Sequence, residues 1–356
     1  MKTVIFGVFI ACFTLLLGCS KDGLTEKKTF DVFNYHQEYT DYLIHPAITK
    51  FVSEVRNLNE ASIKFTENTN KENLLILKKS WKNTAISFSK TEIGNLGEIK
   101  ASAIYLSIYS WGANELKIEE FIASTNIIKQ GIIIGLPTNS RGLSAIEYLL
   151  FDADLETTVN SFSNLRRKGF LTALAYNLLE KSESLEEQWK NYSPSFISNT
   201  LTTGINGSIN LIVNQLNVLL ENVVRFKIGI PAGLENSAYI NSSILQAYRS
   251  EISLELIQEN IKAVKSVYYG IPEGLDDYIF SITNNETINS AVAKTFLSIE
   301  TNIASLSHTT LKSAIENKNP IIIELYNQIK NLTILLKVDV ASTLSLTITF
   351  TDNDGD

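Results

Sequence analysis

One short run, Arg141-Gly142-Leu143-Ser144-Ala145-Ile146-Glu147-Tyr148-Leu149-Leu150-Phe151, carries side chains that could do chemistry. On a helix turning about 100° per residue, Leu143, Ile146 and Leu150 share a face, and Glu147 falls about 40° from Leu143, at the edge of that face. Ser144, three residues earlier, neighbours it. A carboxylate so placed must be ion-paired, hydrogen-bonded, protonated or bound to a cation, because an isolated buried charge is too costly. Two readings stay open: Glu147 pairs with Arg141 or another basic side chain, or it is a ligand. Glu92 closes the second predicted helix and could face the same cavity.

The histidines assemble no visible site. His36 and His45 stand about half a rotation apart on one straight helix, which points them to opposite sides unless Pro46 reshapes the turn, and His308 is alone. No His-Glu-x-x-His run supplies zinc ligands and a base on one helix, so a metal site would be oxygen-rich and would favour a hard ion. Asp352-Asn353-Asp354-Gly355-Asp356 resembles the opening of a calcium loop without its closing glutamate and reads as a solvated acidic end.

The elements that must position these groups are helical. Ile257, Ile261, Val264 and Tyr268 recur at three- and four-residue steps, as do Ile322, Leu325, Ile329, Leu332 and Leu336 after Asn319-Pro320, a cap followed by a first-turn proline. Similar patterns cover about 31–66, 71–92, 161–190, 206–225 and 286–305. Trp81 and Trp111 read as core. The repeated Gly-Ile-Pro-x-Gly-Leu at 229–234 and 270–275 reads as helix stops, since glycine permits the left-handed cap and proline forbids continuation. Leu344, Leu346, Ile348 and Phe350 alternate with polar residues, the period of an extended tail leaving the last helix.

The start of the chain points to export. Lys2 precedes an apolar run, Val4 to Leu17, and Leu16-Leu17-Gly18-Cys19 follows the lipoprotein cleavage pattern, so residues 1–18 are expected to be removed and Cys19 lipidated. Residues 19–29 then form a polar tether to an outer membrane, with the periplasmic or surface face left open. Cys12 lies in the leader, which leaves no second thiol for a disulfide. A net charge of −7 lacks the basic stripe that phosphate backbones require, so nucleic acid is not expected as a partner. Beyond the leader no apolar run reaches the roughly 20 residues of a membrane helix, and the lipid is the expected membrane contact.

The block from Arg141 to Phe151 resembles the imelysin family of iron-regulated, insulin-cleaving-peptidase-like exported proteins. The family hallmark is Gly-x-His-x-x-Glu followed by an aromatic residue and two leucines. Gly142, Glu147, Tyr148, Leu149 and Leu150 match, while Ser144 stands at the histidine position. Ser80-Trp81, Ser110-Trp111, Ile118-Glu119, Lys227-Ile228-Gly229-Ile230-Pro231-Ala232-Gly233 and Leu335 to Ala341 fit as well, in order. The resemblance implies an all-α fold of two helical bundles related by an internal pseudo-repeat, here 30–200 and 201–356, with the motif glutamate in the cleft region. It also implies a role in iron acquisition and a metal site for iron or another hard ion. On this chain that site would draw on Glu147, Ser144 and Glu92, with Arg141, Gly142 and Trp111 as motif and structural residues. Serine offers a weak neutral oxygen where the family has a nitrogen ligand. The expected role is therefore binding of iron, an iron complex or a partner in metal uptake. The rivals are a metallopeptidase-like hydrolase and a surface interaction module with a degenerate site.

Overall fold

The computed structural model describes residues 29–128, 130–202, 204–235 and 239–349. The leader, Cys19, nearly all of the expected tether and Asp352 to Asp356 lie outside the described residues. The amphipathic runs become helices, and no strand occurs among the described residues. α1 (Val32–Glu38) passes through a π-helical stretch, Tyr39–Ile44, into α2 (His45–Glu67), which is followed by α3 (Lys71–Thr91). Shorter helices follow: α4 (Gly97–Ala101), α5 (Ile104–Ile108), α6 (Glu115–Ala123) and α7 (Gln130–Gly135). Next come α8 (Gly142–Phe151), α9 (Leu155–Ser161) and the long α10 (Leu165–Ser198). The rest of the chain begins with α11 (Ser208–Asn222), which runs into a second π-helical stretch, Val223–Gly229. It continues with α12 (Ser253–Tyr269), α13 (Leu275–Thr283), α14 (Thr287–Ser305) and α15 (Leu311–Glu316). α16 (Ile321–Ile334) extends through a third π-helical stretch, Leu335–Val340, into α17 (Ala341–Thr343).

Side-chain caps fix several starts. Asn70 accepts from the Asn73 amide, Asp154 from the amides of Glu156 and Thr157, and Asn164 from those of Arg166 and Arg167. Gly270 ends α12 at φ +61, the stop expected of it. α2, α3 and α10 lie side by side and bury Phe51, Val55, Leu58 and Phe65 against Leu74, Leu77, Trp81, Phe170 and Leu174. Each such side chain contributes about 1.5–3 kcal/mol by leaving water. α11, α14 and α16 pack together around Val292, Phe296, Leu325 and Ile329, and α12 rests on α3 to join the two groups in one contiguous core.

Two local expectations come out differently. The π-helical stretch Tyr39–Ile44 separates His36 from His45, and its wider turn brings both to the same side, toward α10. His36 lies against Phe196, with ring centroids 5.5 Å apart, and His45 Nε2 is 3.1 Å from Ser193 Oγ. α8 has no solvent edge: residues 142 to 150 are all buried, so Glu147 is enclosed and not marginal. The tail behaves as its alternation suggests, with Leu344, Leu346 and Ile348 turned inward and Ser345, Thr347 and Thr349 exposed. No helix among the described residues is long and apolar enough to cross a membrane.

Candidate functional site

α8 begins where only glycine fits. Gly142 has φ +61, and a Cβ there would lie 2.3 Å from the Ile108 carbonyl oxygen at the end of α5. The indole Nε1 of Trp81 donates to the Leu143 carbonyl at 3.0 Å and fastens α8 to α3. Glu147 is thereby carried into the interior, 4% exposed. Its Oε1 accepts from the Ser250 amide at 3.0 Å and from the Ser250 hydroxyl at 2.9 Å. Burial pushes the Glu147 carboxyl above its ordinary range, and the Ser250 bonds and the nearby Arg249 charge oppose that shift.

Arg141 forms no ion pair among the described residues, so it is not the partner that one of the two open readings offered Glu147; burial lowers the Arg141 pKa. The basic charge that acts on Glu147 is Arg249, which bonds Asp152 at 2.7 Å and also Glu115, and lies over the rings of Tyr248 and Tyr148. The Ser144 hydroxyl donates to the Ser110 carbonyl. Glu92 Oε2 takes a 3.2 Å ion pair from Lys227 and a 2.8 Å bond from Asn260, and Lys227 also bonds Asn260 Oδ1 at 2.6 Å. Trp111 packs half-buried against the core and lies under the Lys227 ammonium, 5.8 Å from ring centroid to nitrogen.

Tyr109 senses both carboxylates. Its hydroxyl is pushed well above the ordinary tyrosine range by burial first, then by the charges of Glu147 and Glu92, with the Ala247 backbone nearby opposing the shift. That hydroxyl makes no hydrogen bond of good geometry among the described residues, nor does either amide atom of Gln246, in the turn that carries Ser250. Glu147 and Glu92 thus share a neighbourhood without sharing an ion site. A hard cation needs several free oxygen donors. Here Ser144 is committed to a carbonyl, Glu92 is neutralised by Lys227, and burial works against charge on Glu147. Among the described residues no three His, Cys, Asp or Glu side chains gather around one point. The three expected ligands do not fit a bare ion.

Sequence reasoning missed Ser250, Arg249, Tyr109, Gln246 and Asn260. Lys227 had a signal, because it opens the Lys-Ile-Gly-Ile-Pro-Ala-Gly run; the others lie outside the motif and meet it only through folding.

The family profile described as Imelysin matches residues 44–336. No curated protein matches the chain in sequence. Among solved structures, an imelysin-like protein from Psychrobacter arcticum 273-4 is 17% identical, with a TM-score of 0.73 over 90% of this chain and 97% of that one. A putative iron-regulated protein A precursor from Parabacteroides distasonis ATCC 8503 is 18% identical, with a TM-score of 0.75 over 88% of this chain and 95% of that one. The likeness of fold and the profile match across most of the chain, motif included, place this protein in the imelysin family.

Proposed function

We propose that the chain is a cell-envelope lipoprotein that binds an iron complex bringing its own ligands, as a component of an uptake system. The observation that carries this reading is the unspent hydrogen-bonding capacity of Tyr109, which feels the Glu147 charge, and of Gln246, in the turn whose Ser250 bonds that carboxyl. Buried polar atoms without partners are rare and mark places for water or a polar ligand. An oxygen-rich chelate suits such donors and acceptors better than a bare cation does. The name of the Parabacteroides neighbour supports the link to iron. Peptide hydrolysis would need a metal with an open position and a nearby base, and the engaged groups at Glu92 and Ser144 give that reading no support.

Thermal unfolding of the full chain with ferric citrate, citrate alone and ferric ion alone tests this. Ferric citrate at a hundredfold excess over its dissociation constant should add about 2.7 kcal/mol, and Tyr109→Phe should reduce the gain. Stabilisation by ferric ion alone, lost in Glu147→Gln, would overturn the proposal in favour of a bare-metal site.

A further inference from the structure

Two lysines share one aromatic ring and no bonded carboxylate. Lys78 and Lys82 stand one turn apart on α3, and both are half-buried. The Lys78 ammonium lies over the Phe151 ring, 5.0 Å from its centroid, and the Lys82 ammonium over the same ring at 5.8 Å. Phe151 ends α8, and its ring packs against that of Trp81 with centroids 5.3 Å apart. Because the Trp81 indole also bonds α8 at Leu143, the ring and the two ammonium groups belong to one fixed junction of α3 with α8.

Neither ammonium makes a hydrogen bond or ion pair among the described residues. The acidic side chains that follow Phe151 are already committed. Asp152 bonds Arg249 at 2.7 Å, and Glu156 pairs with Lys71 at 3.4 Å. Asp154 accepts from the amides of Glu156 and Thr157 and from the Thr157 hydroxyl. Burial holds the Lys78 ammonium below the ordinary lysine range; Lys82 pushes the same way, and Asp154 opposes both. Neither lysine is among the groups that shift Glu147, so the pair stands apart from the motif carboxyl.

A ring face attracts an ammonium without neutralising it, and the ring edge carries partial positive charge. Phe151 therefore gathers two full charges and leaves them unspent. Charge-assisted bonds of about 2.8 Å let one tetrahedral oxyanion bridge nitrogens roughly 5–7 Å apart. Side chains four residues apart on a helix start about 5–6 Å apart at Cβ, which suits that span. We propose that Lys78, Lys82 and the edge of Phe151 form a binding site for a phosphate group, inorganic or at the end of a monoester, held between the two ammonium groups.

Trace acetylation of lysine amines on the full chain, read site by site in mass spectra, tests this with inorganic phosphate as the probe and chloride at equal ionic strength as the reference. Phosphate at about twice its dissociation constant should slow labelling of Lys78 roughly threefold, the factor set by mass action. Lys79, exposed on the same helix, should label at an unchanged rate. Lys82→Gln should abolish the protection of Lys78, and Lys82→Arg should retain it. Phosphatidylcholine vesicles containing phosphatidic acid form a second arm: protection by them alone assigns the phosphate to a lipid headgroup, and protection by free phosphate assigns it to a soluble ligand. Equal slowing of Lys78 and Lys79, protection that survives in Lys82→Gln, or no protection by either probe would overturn the proposal.

Discussion

Glu147 sits where burial disfavours its charge and where Ser250 can bond the carboxyl in either protonation state. The folded-state pKa is raised, so the folded protein binds this proton more tightly than the unfolded chain. Its contribution to stability is full below the ordinary value of 4.5 and is lost as pH rises through the folded value. Glutamine mimics the protonated acid and can still accept from Ser250. Glu147→Gln should therefore leave urea stability at pH 7 within about 1 kcal/mol of wild type or raise it, whereas an ion-paired glutamate would lose about 3–5 kcal/mol. A loss of that size would show that Glu147 is charged and paired.

Between helices, Lys227, Asn260 and Glu92 tie the π-helical stretch after α11 to α12 and to the end of α3. Lys227 is 1% exposed, and removing its ammonium would strand the Glu92 carboxylate. Lys227→Met should destabilise the fold by about 2–4 kcal/mol in urea titrations, and adding Glu92→Gln should recover part of the loss. Additive effects of the two substitutions would mean that the pair is not coupled.

Across the protein as a unit, the acid limb of stability carries a signature of His36. Burial lowers its pKa from 6.5 to about 4, opposed by the Ile197 backbone, and neither ring nitrogen makes a hydrogen bond of good geometry among the described residues. The unfolded chain therefore binds this proton more readily, and stability falls as pH drops from 6.5 toward 4, by on the order of 3 kcal/mol. Asp276 acts in the opposite sense, because its pKa is raised to about 6, chiefly by burial, and acidification relieves that cost. His36→Phe should flatten the loss between pH 6.5 and 4 in unfolding free energies measured across that range. An unchanged slope would place the acid sensitivity elsewhere.

Helical periodicity is enough to read α2, α3, α10, α12, α14 and α16 from the sequence, because each buries a stripe whose spacing is set by the helix itself. The motif around Gly142 and Glu147 is legible for the same reason: its residues are neighbours along one helix. The company Glu147 keeps is not legible in this way. Ser250 and Arg249 come from a turn about a hundred residues later, Lys227 and Asn260 claim Glu92, and Ser110 takes the Ser144 hydroxyl. Local spacing determines which face of its helix a side chain occupies. Whether a buried carboxyl then meets a cation, a metal or a neutral donor depends on which distant segments fold against it, because those partners are brought within bonding distance only by the packing of α8 against the rest of the protein.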